Sequence, residues 1–150
     1  MEQDAIIQYV ADTFAGVNIL RPTDGPGIGD TFFIYDPERN LEPQRQMPFA
    51  TIVTKDYGEF DNLSKLDRPG VFRLNIGVSR DTFRALFPVS PTGDTAVHDY
   101  AALDRLMPHP VYAPQSWVCV LNPGPDTFEK LKPLLAEAYS IVATRQARRT

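Results

Sequence analysis

The chain has 150 residues, a formal net charge of -4 and one cysteine, Cys119. That length suits a single domain, residues 1–150, with one core that folds without a metal, and a lone cysteine excludes an internal disulfide. Hydrophobic residues at 43% and charged residues at 23% exclude a disordered chain, and the acidic balance opposes non-specific attraction to nucleic-acid phosphates.

Ile7, Val10, Ala11 and Phe14 recur at helical spacing and predict an amphipathic helix over about residues 2–15, ended by Gly16. Residues 21–30 read as a loop. Its Gly25-Pro26-Gly27-Ile28-Gly29 resembles a phosphate-cradling turn, but a strand follows it, Thr31 to Tyr35, and not a helix, which rules out a nucleotide site. A polar linker leads to a second strand, Phe49 to Thr54, and a charged loop, Lys55 to Gly70, leads to a third, Val71 to Val78. Strands joined without helices favour antiparallel pairing.

Ser79 then has the character of an N-cap for a short helix burying Phe83, Leu86 and Phe87. After a Pro/Gly loop, Tyr100, Leu103 and Leu106 suit a brief helix, and Ser116 to Leu121 a further strand. Asp126, with Glu129 three residues on, predicts the start of a long C-terminal helix whose apolar face is Phe128, Leu131, Leu135, Ala138 and Val142. Pro133 inside that pattern predicts a kink or a later start. The sum is an α+β two-layer sandwich: a mainly antiparallel sheet, N- and C-terminal helices on one face, the other face at least partly open.

Met1-Glu2-Gln3-Asp4 lacks the basic and apolar run of a signal peptide, and no segment reaches about 20 apolar residues, so a cytoplasmic protein with no membrane span is expected. Arg145, Arg148 and Arg149 suit a helix C-terminus better than a nucleic-acid surface.

Val111-Tyr112, Ser116-Trp117-Val118 and the ending Leu134-Leu135-Ala136-Glu137-Ala138-Tyr139 resemble the MmcQ/YjbR group of small bacterial proteins. More closely, Phe32 to Pro37, Pro48 to Thr51, Leu66 to Gly77 and Pro108 to Tyr112 resemble a bacterial domain-of-unknown-function family along nearly the whole chain. The resemblance implies the fold and, for some members, a DNA-binding-like description. It implies no catalytic residues.

Several side chains exceed what such a fold needs. On the third strand Phe72, Leu74, Ile76 and Val78 face the helices, so Arg73, Asn75 and Gly77 face away. Arg73 and Asn75 are either solvated and paired with loop carboxylates such as Asp67, or an anion- or amide-recognition patch. If Val118 and Val120 are core, Trp117 and Cys119 share that patch's face and Trp117 supplies a wall; if Trp117 is core, Cys119 is an inert buried thiol. In the loop Lys55 to Arg68, the residues Asp56, Tyr57, Glu59, Asp61, Asp67 and Arg68 lack calcium-loop spacing and read as self-paired or as one wall of a pocket. His98 and His109 with one cysteine make no zinc site, and no cofactor is expected. His109, between two prolines, is either a hydrogen-bonded loop residue or a general acid/base.

The leading expectation is a domain that binds a small molecule or a protein through an open sheet face, using Arg73, Asn75, Trp117, Arg68 and Tyr57. The second is a hydrolase- or isomerase-like enzyme using His109 with Asp67 or Asp104. DNA binding comes third, against the acidic charge. A homodimer, through the open face or an edge strand, fits any of these.

Overall fold

The computed structural model describes residues 1–89 and 98–149. Helix α1, Gln3–Thr13, buries Ile6 and Val10, and Phe14 is buried one step beyond its end. The buried stripe is rotated from the expected one: Ile6 lies at its centre and Ala11 is exposed, since an isoleucine removes far more apolar area from water than an alanine. Gly16 then takes φ +76, and a Cβ there would stand 2.9 Å from the Pro37 side chain. Only glycine turns the chain so tightly at this point. It feeds strand β1, Val17–Leu20, a four-residue strand too short and too little buried to show a pattern in the sequence.

The remaining strands are β2, Thr31–Tyr35; β3, Ala50–Val53; β4, Arg73–Gly77; β5, Met107–Pro108; and β6, Trp117–Leu121. They form one sheet in the order β1-β2-β3-β4-β6-β5, and every neighbouring pair is antiparallel. Helix α2, Arg80–Leu86, follows β4, and helix α3, Pro125–Arg149, closes the chain. The architecture is α+β, with α1 and α3 packed on one face of the sheet.

Ser79 caps α2 as its position indicated, its hydroxyl accepting from Thr82 N at 3.1 Å. Phe83 and Phe87 pack on the core, whereas Leu86 lies on the outer side and is exposed. Residues 100–106 do not form the expected helix. They turn, with Leu103 bridged in parallel to Leu121, and lead into β5. Helix α3 begins at Pro125, where a proline's missing N–H costs nothing, so Asp126 sits in its first turn and does not cap it. The helix continues through Pro133 without a later start. The Pro/Gly loop expected after α2 falls largely on residues 90–97, outside the described residues.

Two apolar clusters replace the single core expected. The larger joins Ile6, Val10, Phe33, Ile52, Leu74, Ile76, Val118, Val120, Phe128, Leu131 and Leu135 between helices and sheet. The smaller joins Val53, Leu66, Met107, Cys119 and Leu121 on the opposite face. That face is therefore only partly open: it is covered over β3, β4 and β6, whereas Leu20 of β1 is 42% exposed. Segments 54–70 and 100–115 lie across β3, β4 and β6 and remove their side chains from water.

Candidate ligand pocket

Strand parity places Arg73 and Asn75 on the face away from the helices, and the register continues that face onto neighbouring strands. Asn75 pairs with Thr51 of β3 on one side and Cys119 of β6 on the other. Gly77 pairs with Trp117, so Arg73 and Trp117 do share a face. Beyond Pro108, His109 N donates to Trp117 O at 2.9 Å and extends the β5–β6 ladder by one residue. Its imidazole thereby joins the same face.

Arg73 is 1% exposed, Asn75 3% and His109 2%. Arg73 is neither solvated nor a free anion receptor. Its guanidinium meets Asp61 as a fork, Nη1 to Oδ1 at 3.0 Å and Nη2 to Oδ2 at 2.6 Å. Nη1 also donates to Ser64 Oγ at 2.9 Å and Nε to Asn75 Oδ1 at 2.8 Å. Asn75 Nδ2 in turn donates to Thr51 Oγ1 at 2.9 Å. A buried arginine demands such compensation, since an unpaired charge there costs on the order of several kcal/mol.

His109 Nδ1 accepts two main-chain N–H groups, from Val111 at 3.0 Å and Tyr112 at 2.9 Å, and Nε2 lies 3.2 Å from Arg73 Nη2. Burial first, and then the charge of Arg73, push its pKa from 6.5 down to about 3. The ring is neutral at physiological pH. Cys119 is fully buried and burial pushes its thiol up to about 12, which leaves it an inert core residue.

Above this polar floor lies a cavity of about 670 Å³. Aromatic residues wall it: Phe32, Tyr57, Phe60, Tyr112 and Trp117. Thr51, Asp61, Arg73, Asn75 and His109 form its floor, and Pro26 and Gly27 part of its rim. The Gly25 to Gly29 loop is held there by Asp30, a buried carboxylate that accepts from Thr54 N at 2.9 Å, from Lys55 Nζ at 3.3 Å and from the Tyr57 hydroxyl. The size falls within the usual range for small-molecule sites, about 300–1,000 Å³. A second hollow, about 470 Å³, lies between residues 38–47 and α3, but Glu38, Glu42, Arg45 and Arg145 line it as exposed, solvated side chains.

Of the residues singled out in the sequence, Arg73, Asn75, Trp117, Tyr57 and His109 line the cavity. Arg68 does not. It is a staple between loops, donating to the carbonyls of Lys65 at 2.8 Å, Ser64 at 3.0 Å and Ala101 at 2.9 Å. Asp67 is exposed and accepts from Asp56 N at 3.2 Å, and Asp104 is exposed and accepts from Gly124 N at 2.7 Å. Neither partners His109. The carboxylate of this cluster is Asp61, reached from His109 only through Arg73. In the sequence nothing sets Asp61 apart from its loop neighbours or marks Ser64, Phe60 and Tyr112 as cavity residues, because loop residues carry no periodicity to say which way they face. Among the described residues, no helix is long and apolar enough to cross a membrane, and no three His, Cys, Asp or Glu side chains are grouped to hold a metal.

No curated protein and no solved structure matches this sequence. The pattern of one family does match, across all of residues 1–150, in agreement with the resemblance carried by the Phe32 to Pro37 and Leu66 to Gly77 motifs: the chain belongs to the family of unknown function DUF6194.

Proposed function

We propose that the protein binds a small, flat, largely apolar molecule in the cavity between the sheet and its covering loops. The observation that carries this reading is the pairing of aromatic walls with a convergent, buried polar floor. A sheet face needed only for stability would be covered by apolar side chains, without the desolvation cost of Arg73, Asp61, Asn75 and His109. The net charge of the floor is zero, because Asp61 neutralises Arg73 and His109 is neutral, which favours an uncharged ligand.

Acid–base catalysis by His109 fits less well. A general base works best with a pKa near the working pH, and burial beside Arg73 holds this imidazole at about 3. Self-association through that sheet face is disfavoured where loops 54–70 and 100–115 cover it, which leaves the edge strands β1 and β5 as the route to a dimer. DNA binding gains nothing from a cavity whose floor carries no net charge.

Phe60 and Tyr112 test the reading, because they wall the cavity yet are 63% and 43% exposed, with ring centroids 6.1 Å apart. Their removal spares the core. Ligand-observed NMR against a library of flat aromatic fragments should yield hits, with about tenfold weaker binding in the Phe60→Ala/Tyr112→Ala variant at little cost in stability. No hits, or hits indifferent to the substitutions, would refute it.

A further inference from the structure

The hydrogen-bond inventory at the cavity floor does not close. A guanidinium has five N–H groups and no acceptor. Asn75, Ser64 and the two oxygens of Asp61 receive four of those of Arg73. The fifth, on Nη2, points to His109 Nε2 at 3.2 Å. A neutral imidazole has one donor nitrogen and one acceptor nitrogen. Nδ1 is already the acceptor, because the main-chain N–H groups of Val111 and Tyr112 both converge on it. Nε2 must then carry the proton, and it faces another donor. The alternative tautomer moves the conflict to Nδ1, against two main-chain donors, and a protonated ring has it on both sides. Every protonation state of His109 leaves a surplus of donors and lacks one acceptor.

Resting on the reading of this cavity as a ligand site, we infer that the ligand supplies the missing acceptor: an uncharged carbonyl oxygen on an apolar, ring-bearing body, bound between His109 Nε2 and Arg73 Nη2. The two nitrogens are close enough for one oxygen to accept from both, and both residues line the cavity. A hydroxyl or amine ligand is selected against, because its own hydrogen adds to the surplus. A carboxylate is disfavoured by the nearby Asp61, which already neutralises Arg73. The aromatic walls receive the ring.

Acetophenone and α-methylstyrene separate the cases, since the second replaces the carbonyl oxygen by a methylene at nearly the same shape. Titrated into the intact protein and followed by ligand-observed NMR, acetophenone should bind about tenfold tighter or better. Equal affinities, or a preference for the alkene, would overturn the inference and leave the cavity as a purely apolar site. Binding of neither would overturn the ligand-site reading as well. An independent check needs no variant: with only two histidines in the chain, long-range proton–nitrogen-15 correlations report each ring directly. His109 should be the Nε2–H tautomer at neutral pH, with its Nε2 signal shifting on addition of acetophenone. A Nδ1–H tautomer in the free protein would overturn the inference.

Discussion

Folding sets His109 in a place where it resists a proton, and that couples its titration to stability. Its pKa is about 3 in the folded protein and about 6.5 in the unfolded chain. Between those values the unfolded chain binds a proton that the native state does not, so lowering the pH favours unfolding. The contribution is fully present above about pH 6.5 and is lost as the pH falls toward 3, at up to about 1.4 kcal/mol per pH unit. Urea denaturation at pH 7.5 and 5.5 should therefore show a lower midpoint in acid, at pH values where most carboxylates stay ionised. His109→Gln should flatten the difference. An equal slope in that variant would mean that other groups cause it.

At the scale of elements, the pairing of β4 with β6 shapes the cavity wall. Gly77 stands opposite Trp117, and a Cβ on it would lie 3.0 Å from Cε2 and 3.1 Å from Cζ2 of the indole. The missing side chain gives the ring its seat against the sheet. Gly77→Ala should displace the indole and destabilise the protein by about 1 kcal/mol or more, although alanine is the better strand residue. As Trp117 is the sole tryptophan, its fluorescence should shift in the same variant. Unchanged emission with a gain in stability would show that the ring does not rest there. Elsewhere Glu137 of α3 accepts from Ser79 N and Thr82 Oγ1, both at 2.6 Å, and so fixes the start of α2 on the helical layer.

For the whole molecule, the sheet is a partition between two differently built halves. Helices cover one face through an apolar core, whereas loops cover the other largely through polar contacts focused on Arg73. Asp61 and Ser64 bind one loop to that side chain, and His109 brings the second into contact with it. Asp61→Ala should then cost about 3–5 kcal/mol, because it leaves a guanidinium buried without its counter-charge. Hydrogen exchange should show residues 54–70 losing protection well beyond the helices. A loss below about 1 kcal/mol, typical of an exposed ion pair, would contradict the burial of this one.

Periodicity in the sequence was enough to place α1, α2, α3 and four of the six strands among the described residues, since a helix or strand that buries one face must repeat its apolar residues at 3.6 or 2. The same parity put Arg73 and Asn75 on one face, but left Trp117 on that face only if Val118 and Val120 are core, which the β4–β6 register decides. It failed at β1 and β5, which have four and two residues and hold no full pattern, and at residues 100–106, where apolar spacing mimicked a helix. What covers the face of Arg73 was beyond it. Loops 54–70 and 100–115 fold where long-range contacts fix them, so the choice of Asp61 over Asp67 as the partner of Arg73 belongs to tertiary structure. The sequence by itself determined the layers and which side chains of one strand share a face, because those follow from local geometry. Only the tertiary structure turned an apparently open face into a walled cavity, because covering it depends on contacts between segments far apart in the chain.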